Sequence, residues 1–288
     1  MRFHEGELAV QDSAGVLDDA RRTGRFIRDA ISPGARGFLA ERPFAVIAGA
    51  APDGRLWTSI LSGGLPFLVS SDDGQQLRVG GRPRVDDPLS PGLRAGASIG
   101  LVAIDFEARR RFRVNGRLLA SDSGLVIDVR EAYSNCPKYI HAYAPRPEGP
   151  ALDRTARNAD QLDAAQSRWI ERADTFFLGT LHPEAGADAS HRGGPPGFVR
   201  VGGPRSLTWR DYRGNNFFNS LGNAVVNPAA ALLFLDFETG STLQLSGRLR
   251  IDWPAEREGG ARTERVLEFE VDQVVETDGA VALRWSRG

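Results

Sequence analysis

The chain has 288 residues with 36 Lys plus Arg against 37 Asp plus Glu, so it is long enough for one large domain or two ordinary ones and carries no net field toward nucleic acid or an anionic membrane. A single cysteine, Cys136, excludes an intrachain disulfide framework and leaves too few thiolates for a cysteine-based zinc or iron–sulfur site. The basic residues are arginine throughout except Lys138, so any one arginine is weak evidence of function.

The amino terminus, Met1 to Glu7, is acidic where a signal peptide needs a basic start, and no run of about 20 apolar residues occurs later. A cytoplasmic location without a membrane anchor is therefore expected. Val16, Ala20, Ile27 and Ile31 follow a helical spacing that Ser32-Pro33-Gly34 stops, which predicts one leading helix. Phe44 to Ala50, a turn at Pro52-Asp53-Gly54, and Leu56 to Leu61 predict a β-hairpin. Between Tyr143 and Asp160 the chain lacks apolar period and reads as a linker, after which Leu162, Ala165, Trp169 and Ile170 predict a second leading helix. This divides the chain into domains 1–145 and 146–288.

A repeat joins the two at a constant offset of 131 residues. GLVAIDFEARRRFRVNGRL at Gly100 to Leu118 aligns without a gap with ALLFLDFETGSTLQLSGRL at Ala231 to Leu249, sharing Asp-Phe-Glu and Gly-Arg-Leu. The same offset carries Phe38 to Trp169 and Gly63 to Gly194. The expected fold is mainly β (α+β): two tandem small antiparallel barrels, each opened by a helix, packed as an internal pseudo-dimer.

Two segments hold candidate chemistry. In DASHRGGPPGFVRV, Asp188 to Val201, the Gly-Pro centre bends the chain and bares backbone amides, while Ser190 and Arg192 project to one face; the alternative is a plain hairpin. In LTWRDYRGNNFFNSLGNAVVNP, Leu207 to Pro228, Gly214-Asn215-Asn216 precedes a helix predicted from Asn219 to Val226, whose amino end favours an anion; the alternative is an ordinary N-cap and turn. The histidines His4, His141, His182 and His191 show no metal-ligand spacing, and no metal site is expected.

Taken together and followed by LLFLDF, these segments resemble the FMN-binding split-barrel family that includes pyridoxamine 5'-phosphate oxidase, and more closely its oxidase-related members with tandem barrels. HEGELAVQ near the amino terminus and YSNCPKYI at Tyr133 to Ile140 add to the resemblance. It implies FMN as cofactor, with Ser190, Arg192, Gly193, Trp209, Asn215, Asn216 and Ser220 cradling it. Because family members bind FMN between barrels, Arg110, Arg111 and Lys138 of the first copy are further candidates, against a solvated strand edge and an ordinary loop. The phosphate cluster Ser-Arg-Lys of true pyridoxamine-phosphate oxidases is absent, which argues against vitamin B6 oxidation. In the first copy Ser62 stands where Arg192 would be and Gly80 to Pro88 has no Gly-Asn-Asn, so that site is expected to have decayed. The resemblance implies an FMN-dependent oxidoreductase acting on a small-molecule substrate or electron donor such as NADH or NADPH, in a bacterial cytoplasm, possible as a homodimer of pseudo-dimers. The alternatives are a flavin-binding module without turnover and a barrel scaffold that has lost its cofactor.

Overall fold

The computed structural model describes residues 3–121, 124–146, 155–253 and 265–287. Three short helices open the chain: α1 (Glu5–Ser13), α2 (Leu17–Gly24) and α3 (Pro33–Ala40). The single leading helix expected over Val16 to Ile31 is broken. α2 ends at Gly24, and the chain then extends so that Arg28 bridges Ala132 while Ile27 and Ile31 are buried. Their helical spacing is thus met by burial from an extended segment. Ser32-Pro33-Gly34, expected as a stop, starts α3: Ser32 is the N-cap and Pro33 occupies the first turn, where its missing N–H costs no helix bond.

Strands β1 (Phe44–Ala50), β2 (Leu56–Ser62), β3 (Leu68–Ser70), β4 (Gln76–Val79), β5 (Ser98–Asp105), β6 (Arg110–Leu119) and β7 (Leu125–Ser134) form an antiparallel sheet in the order β2-β1-β5-β6-β7-β4-β3. The stretch expected as a linker carries β8 (Tyr143–Arg146) and β9 (Ala156–Ala159) at its ends, and its residues 147–154 lie outside the described residues. The second copy follows with α4 (Ala164–Arg172), β10 (Thr175–His182), β11 (Gly186–Gly193), β12 (Val199–Gly203), β13 (Ser206–Asp211), α5 (Asn219–Val226), β14 (Ala229–Leu235), β15 (Thr242–Asp252) and β16 (Arg265–Thr277). Its sheet order, β11-β10-β14-β15-β16-β13-β12, repeats the first strand for strand, with β9 added on β16. A last strand, β17 (Arg284–Arg287), returns to pair with β8. The protein is mainly β, and neither seven-strand path closes on itself in its hydrogen bonding.

The shared Gly-Arg-Leu has a structural cause. Both sheets carry a register shift at the same place, between Asn115 and Gly116 on β6 and between Ser246 and Gly247 on β15. A Cβ on Gly116 would lie 2.0 Å from the Asp128 carbonyl oxygen, and one on Gly247 would lie 2.0 Å from that of Glu270. Only glycine admits the neighbouring strand at each bulge.

Each copy has its own apolar core, around Ile47, Leu101, Val114 and Ile127 in the first and around Phe176, Leu232, Leu245 and Phe269 in the second. A third cluster joins them: Phe44, Val46, Val102 and Phe106 meet Phe177, Ala189, Leu233 and Phe237. Across this joint β11 packs on β5 and β6, and β2 packs on β14 and β15, contacts that the repeat interchanges. Gly179 sits here because a Cβ would lie 2.4 Å from Thr58 Oγ1 and 2.7 Å from Ala48 Cβ. Among the described residues no helix is long and apolar enough to cross a membrane.

Candidate functional site

The two segments singled out in the second copy meet β6 and β7 of the first around one small cleft of about 80 Å³. Arg111, Arg113, Asn135 and Cys136 line it from the first copy; His191, Arg192, Asp211, Tyr212, Gly214 to Asn216 and Phe218 to Leu221 line it from the second. Strand alternation aims the arginines. Arg111, Arg113 and Asn115 share one face of β6, while Asp188, Ser190 and Arg192 share one face of β11.

Beneath the cleft lies a buried polar cluster centred on Asp188, which is 1 % exposed. Its carboxylate accepts from Ser220 Oγ at 2.6 Å, from Asn115 Nδ2 at 3.3 Å and from Tyr133 Oη at 3.3 Å, with Arg113 Nη1 at 3.4 Å. Arg113 also donates to Tyr133 Oη at 3.0 Å, and Ser220 Oγ lies 2.9 Å from Ser190 Oγ. Burial opposes the charge on Arg113, but Asp188 and Tyr133 outweigh it and raise its pKa. This cluster ties the two copies to the start of α5.

Arg192 donates to Asp211 Oδ1 at 2.8 Å, and Arg265 takes Asp211 Oδ2 at 2.7 Å, so one carboxylate serves two guanidinium groups. Arg111 has no carboxylate partner among the described residues; its Nη1 lies 2.9 Å from His191 Nδ1. A guanidinium only donates, so Nδ1 must accept and the imidazole proton must sit on Nε2. Burial, followed by Arg111 and Arg192, pushes His191 well below its ordinary pKa and keeps the ring neutral. Its Nε2–H is buried without a partner, as is Arg192 Nε. Burial also lowers Arg111 to about 9, helped by repulsion from Arg113 and Arg192. An uncompensated cation and orphaned donors are costly unless an anion or carbonyl oxygen meets them.

The helix start adds to this. α5 begins at Phe218 in a left-handed conformation (φ 61°) with no side-chain cap, and Asn216 is also left-handed (φ 64°). Asn215 Oδ1 accepts from the Phe217 amide at 3.2 Å. The alternative reading of Gly214-Asn215-Asn216 as an N-cap and turn is met only in its turn: Asn215 closes on Phe217 without capping α5, whose first-turn amides remain for a ligand. α1 buttresses this point: a Cβ on Gly6 would lie 2.2 Å from the Gly222 carbonyl oxygen, and Glu7 Oε1 accepts from Asn219 Nδ2 at 2.7 Å. The amino-terminal HEGELAVQ thus forms part of the support for α5.

Of the nominated residues, Arg192, Asn215, Asn216, Ser220 and Arg111 line the cleft, and Ser190 lies in the cluster beneath it. Gly193 has a packing role: a Cβ there would lie 2.0 Å from the Tyr139 carbonyl oxygen, so glycine lets loop 135–141 close on β11. Trp209 is instead in the core of the second copy, its ring 5.1 Å from that of Phe176; it shares a face of β13 with Asp211 but lies two residues short of the cleft that Asp211 lines. Lys138 is exposed and outside the cleft. Arg110 points away with opposite parity to Arg111 and rests on Phe38, 5.1 Å from the ring centroid. The amides expected to be bared around Gly193-Gly194-Pro195-Pro196-Gly197 are in use, since Gly194 donates to Asp174 O at 3.0 Å and Gly197 to Glu171 O at 2.7 Å. The register also places Leu61, not Ser62, opposite Arg192 in the repeat: Ser62 pairs with Phe44 as Gly193 pairs with Thr175. Arg113, Asp188, His191 and Tyr133 were missed as site residues; counting by twos from Arg111 and Arg192 picks out the first two.

His4, Glu5 and His182 also come together, with ligand atoms within 4.8 Å of one another. His182 Nδ1 accepts from the amides of Glu184 and Ala185, and His4 Nδ1 accepts from Gly6. Each neutral ring then carries its proton on Nε2, which meets Glu5 Oε1 from His182 and Asn223 Oδ1 from His4. These are donors in a hydrogen-bonded helix cap, not free metal ligands.

No protein-family model and no curated protein matches the chain. Solved structures similar to it include a proposed pyridoxamine 5'-phosphate oxidase from Lactobacillus delbrueckii (14 % identity, 40 % of this chain and 94 % of that one, TM-score 0.32). Others are an FAD-binding protein from Mesorhizobium loti (11 %, 43 % and 97 %, TM-score 0.30) and a heme storage protein from Vibrio cholerae (11 %, 38 % and 90 %, TM-score 0.29).

Proposed function

We propose that this chain is an FMN-binding protein of the split-barrel type, with one competent site between domains 1–145 and 146–288, acting as an FMN-dependent oxidoreductase. The observation that carries the reading is the unpaired Arg111 guanidinium beside a neutral His191 whose Nε2–H has no partner, facing the uncapped start of α5. These donors fit an anionic ligand that also presents carbonyl oxygens. The cleft, at about 80 Å³, takes one end of such a ligand rather than a whole three-ring system. In this reading that end is the phosphate, held by Arg111, Arg192, His191 Nε2–H, Asn215, Asn216 and the first-turn amides of α5.

Bound flavin would supply hydride or electron transfer, and positive charge held near it favours its reduced anionic form. His191, kept neutral, acts as a fixed donor and not as a general acid. The partners in this proposal are a small-molecule substrate or electron donor, with the protein in the cytoplasm and free to pair as a homodimer of pseudo-dimers. Titrating the protein with FMN should give saturable quenching of flavin fluorescence. Arg192→Ala should weaken it by about tenfold or more, the scale of one charge-assisted hydrogen bond. No saturable binding by the unmodified protein contradicts the proposal.

A further inference from the structure

A second space adjoins the cleft. It has about 320 Å³, near the lower end of the range for small-molecule sites, and is lined by Ser32, Gly34 and Ala35 of the α3 start, by the turn and strand from Ala108 to Phe112, and by Ser134, Asn135 and Pro137. Arg111 and Asn135 are common to both walls, so the two spaces are separated by little more than these side chains.

Its charge is one-sided. Arg109, Arg110 and Arg111 stand on consecutive positions along it, and none pairs with a carboxylate among the described residues. The nearby Asp105 is already taken by Arg42 and by the Ala108 amide. Arg109 is held at φ 51°, a left-handed conformation that a bulky residue seldom adopts, so the turn presents this side chain at some backbone cost. Arg110 lies over the Phe38 ring, a contact that orders its guanidinium without neutralising it. The α3 start has no side-chain cap and turns its positive end to the same space.

Resting on the flavin reading above, we infer that this pocket receives a phosphate-bearing co-substrate beside the cofactor, with Arg109 and Arg110 as its specificity residues. A nicotinamide nucleotide has the required chemistry, and uncompensated cations favour the form with the extra phosphate. NADPH should therefore bind more tightly than NADH.

The test uses the full chain, with NADPH and NADH binding followed by nucleotide fluorescence, with and without FMN, and FMN binding measured separately. The double change Arg109→Gln with Arg110→Gln alters only solvent-facing side chains, and thermal melting checks that it folds. NADPH is expected to bind about tenfold more tightly than NADH, and the double change should remove that preference while leaving FMN affinity unchanged. Inorganic phosphate should compete with NADPH in the unmodified protein and lose that effect in the variant.

The inference is overturned if NADPH and NADH bind equally or not at all, or if the double change leaves NADPH affinity intact. It is also overturned if the double change weakens FMN as much as NADPH, since the pocket would then belong to the cofactor. Failure of FMN to bind with a preserved NADPH preference would instead sink only the flavin reading.

Discussion

The two copies present the same strands to each other and make opposite chemistry of them. Where β6 and β11 meet, Arg111, Arg113 and Arg192 surround the cleft, with Ser190 in the cluster beneath it. At the equivalent meeting of β15 and β2, the repeat puts Thr242, Gln244, Ser59 and Leu61. Gln244 Nε2 donates to Ser59 Oγ at 3.0 Å, and Ser59 donates to the half-buried Asp87 at 2.7 Å. Burial, above all, raises the Asp87 pKa. Tyr133, which supports Arg113, is matched by Val275 opposite Gln244. The scaffold thus supplies two clefts: the repeat replaces Arg111, Arg113 and Arg192 of one with Thr242, Gln244 and Leu61 in the other, which is lined instead by Arg82 and Arg84 beside Asp86 and Asp87. α5 differs as well: the corresponding stretch of the first copy has only a single 3₁₀ turn at Ser90–Gly92.

Removing the anchor of the charged cleft should have the largest effect. Asp188→Ala would leave Arg113 buried without its carboxylate, and a loss of about 3–5 kcal/mol in unfolding free energy is expected from urea titration. A loss under about 1 kcal/mol would show that the cluster does not join the copies as described.

Next is the unpaired cation. Arg111→Gln should weaken FMN binding by about ten- to a hundredfold with little change in stability, because the charge it removes has no protein partner. Since His191 stays neutral, FMN affinity should be flat between pH 7 and pH 8, above the second phosphate pKa of about 6. A rise in affinity as pH falls through that range would mean that the ring is gaining a proton and that its tautomer is misassigned.

A smaller effect concerns the support of α5. Burial lifts Glu7 to about 8, against the opposing hydrogen bond from the His4 amide. A folded-state pKa above the unfolded value means the contribution to stability is full below about 4.5 and is lost as pH rises through about 8, at up to about 1.4 kcal/mol per pH unit. Glu7→Gln should flatten the wild-type decline between pH 5 and pH 9; parallel curves for the two proteins would contradict this assignment.

The least effect is expected in the cleft that holds Asp87. Asp87→Asn keeps an acceptor for Ser59 and the Leu89 amide and should change stability by less than about 1 kcal/mol, with no change in FMN affinity. Weakened FMN binding would show that the first copy's own cleft is in use.

The duplication was legible because its marks are covalent: the glycine of Gly-Arg-Leu is demanded by a bulge in each copy, and the offset holds through α3 and α4. α5 was legible in the sequence, where a helix is predicted over about Asn219 to Val226. The cleft was only half legible. Arg111 and Arg192 come from opposite copies, so their meeting depends on how the sheets pack, and Asp188 reads locally as one more polar strand residue. Trp209 shows the reverse error, since it shares a strand face with Asp211 at the cleft but lies two residues deeper, against Phe176 in the core. The α1 contact was hidden because Gly6 and Gly222 are ordinary glycines until their backbones are seen to touch.

The central claim is one flavin-type cleft in a molecule that repeats its fold twice, and flavin stoichiometry tests it most directly. Purified protein saturated with FMN, freed of excess and then denatured, should release one FMN per chain by absorbance and mass, and Arg111→Gln should release far less. Two FMN per chain, or none, would contradict it.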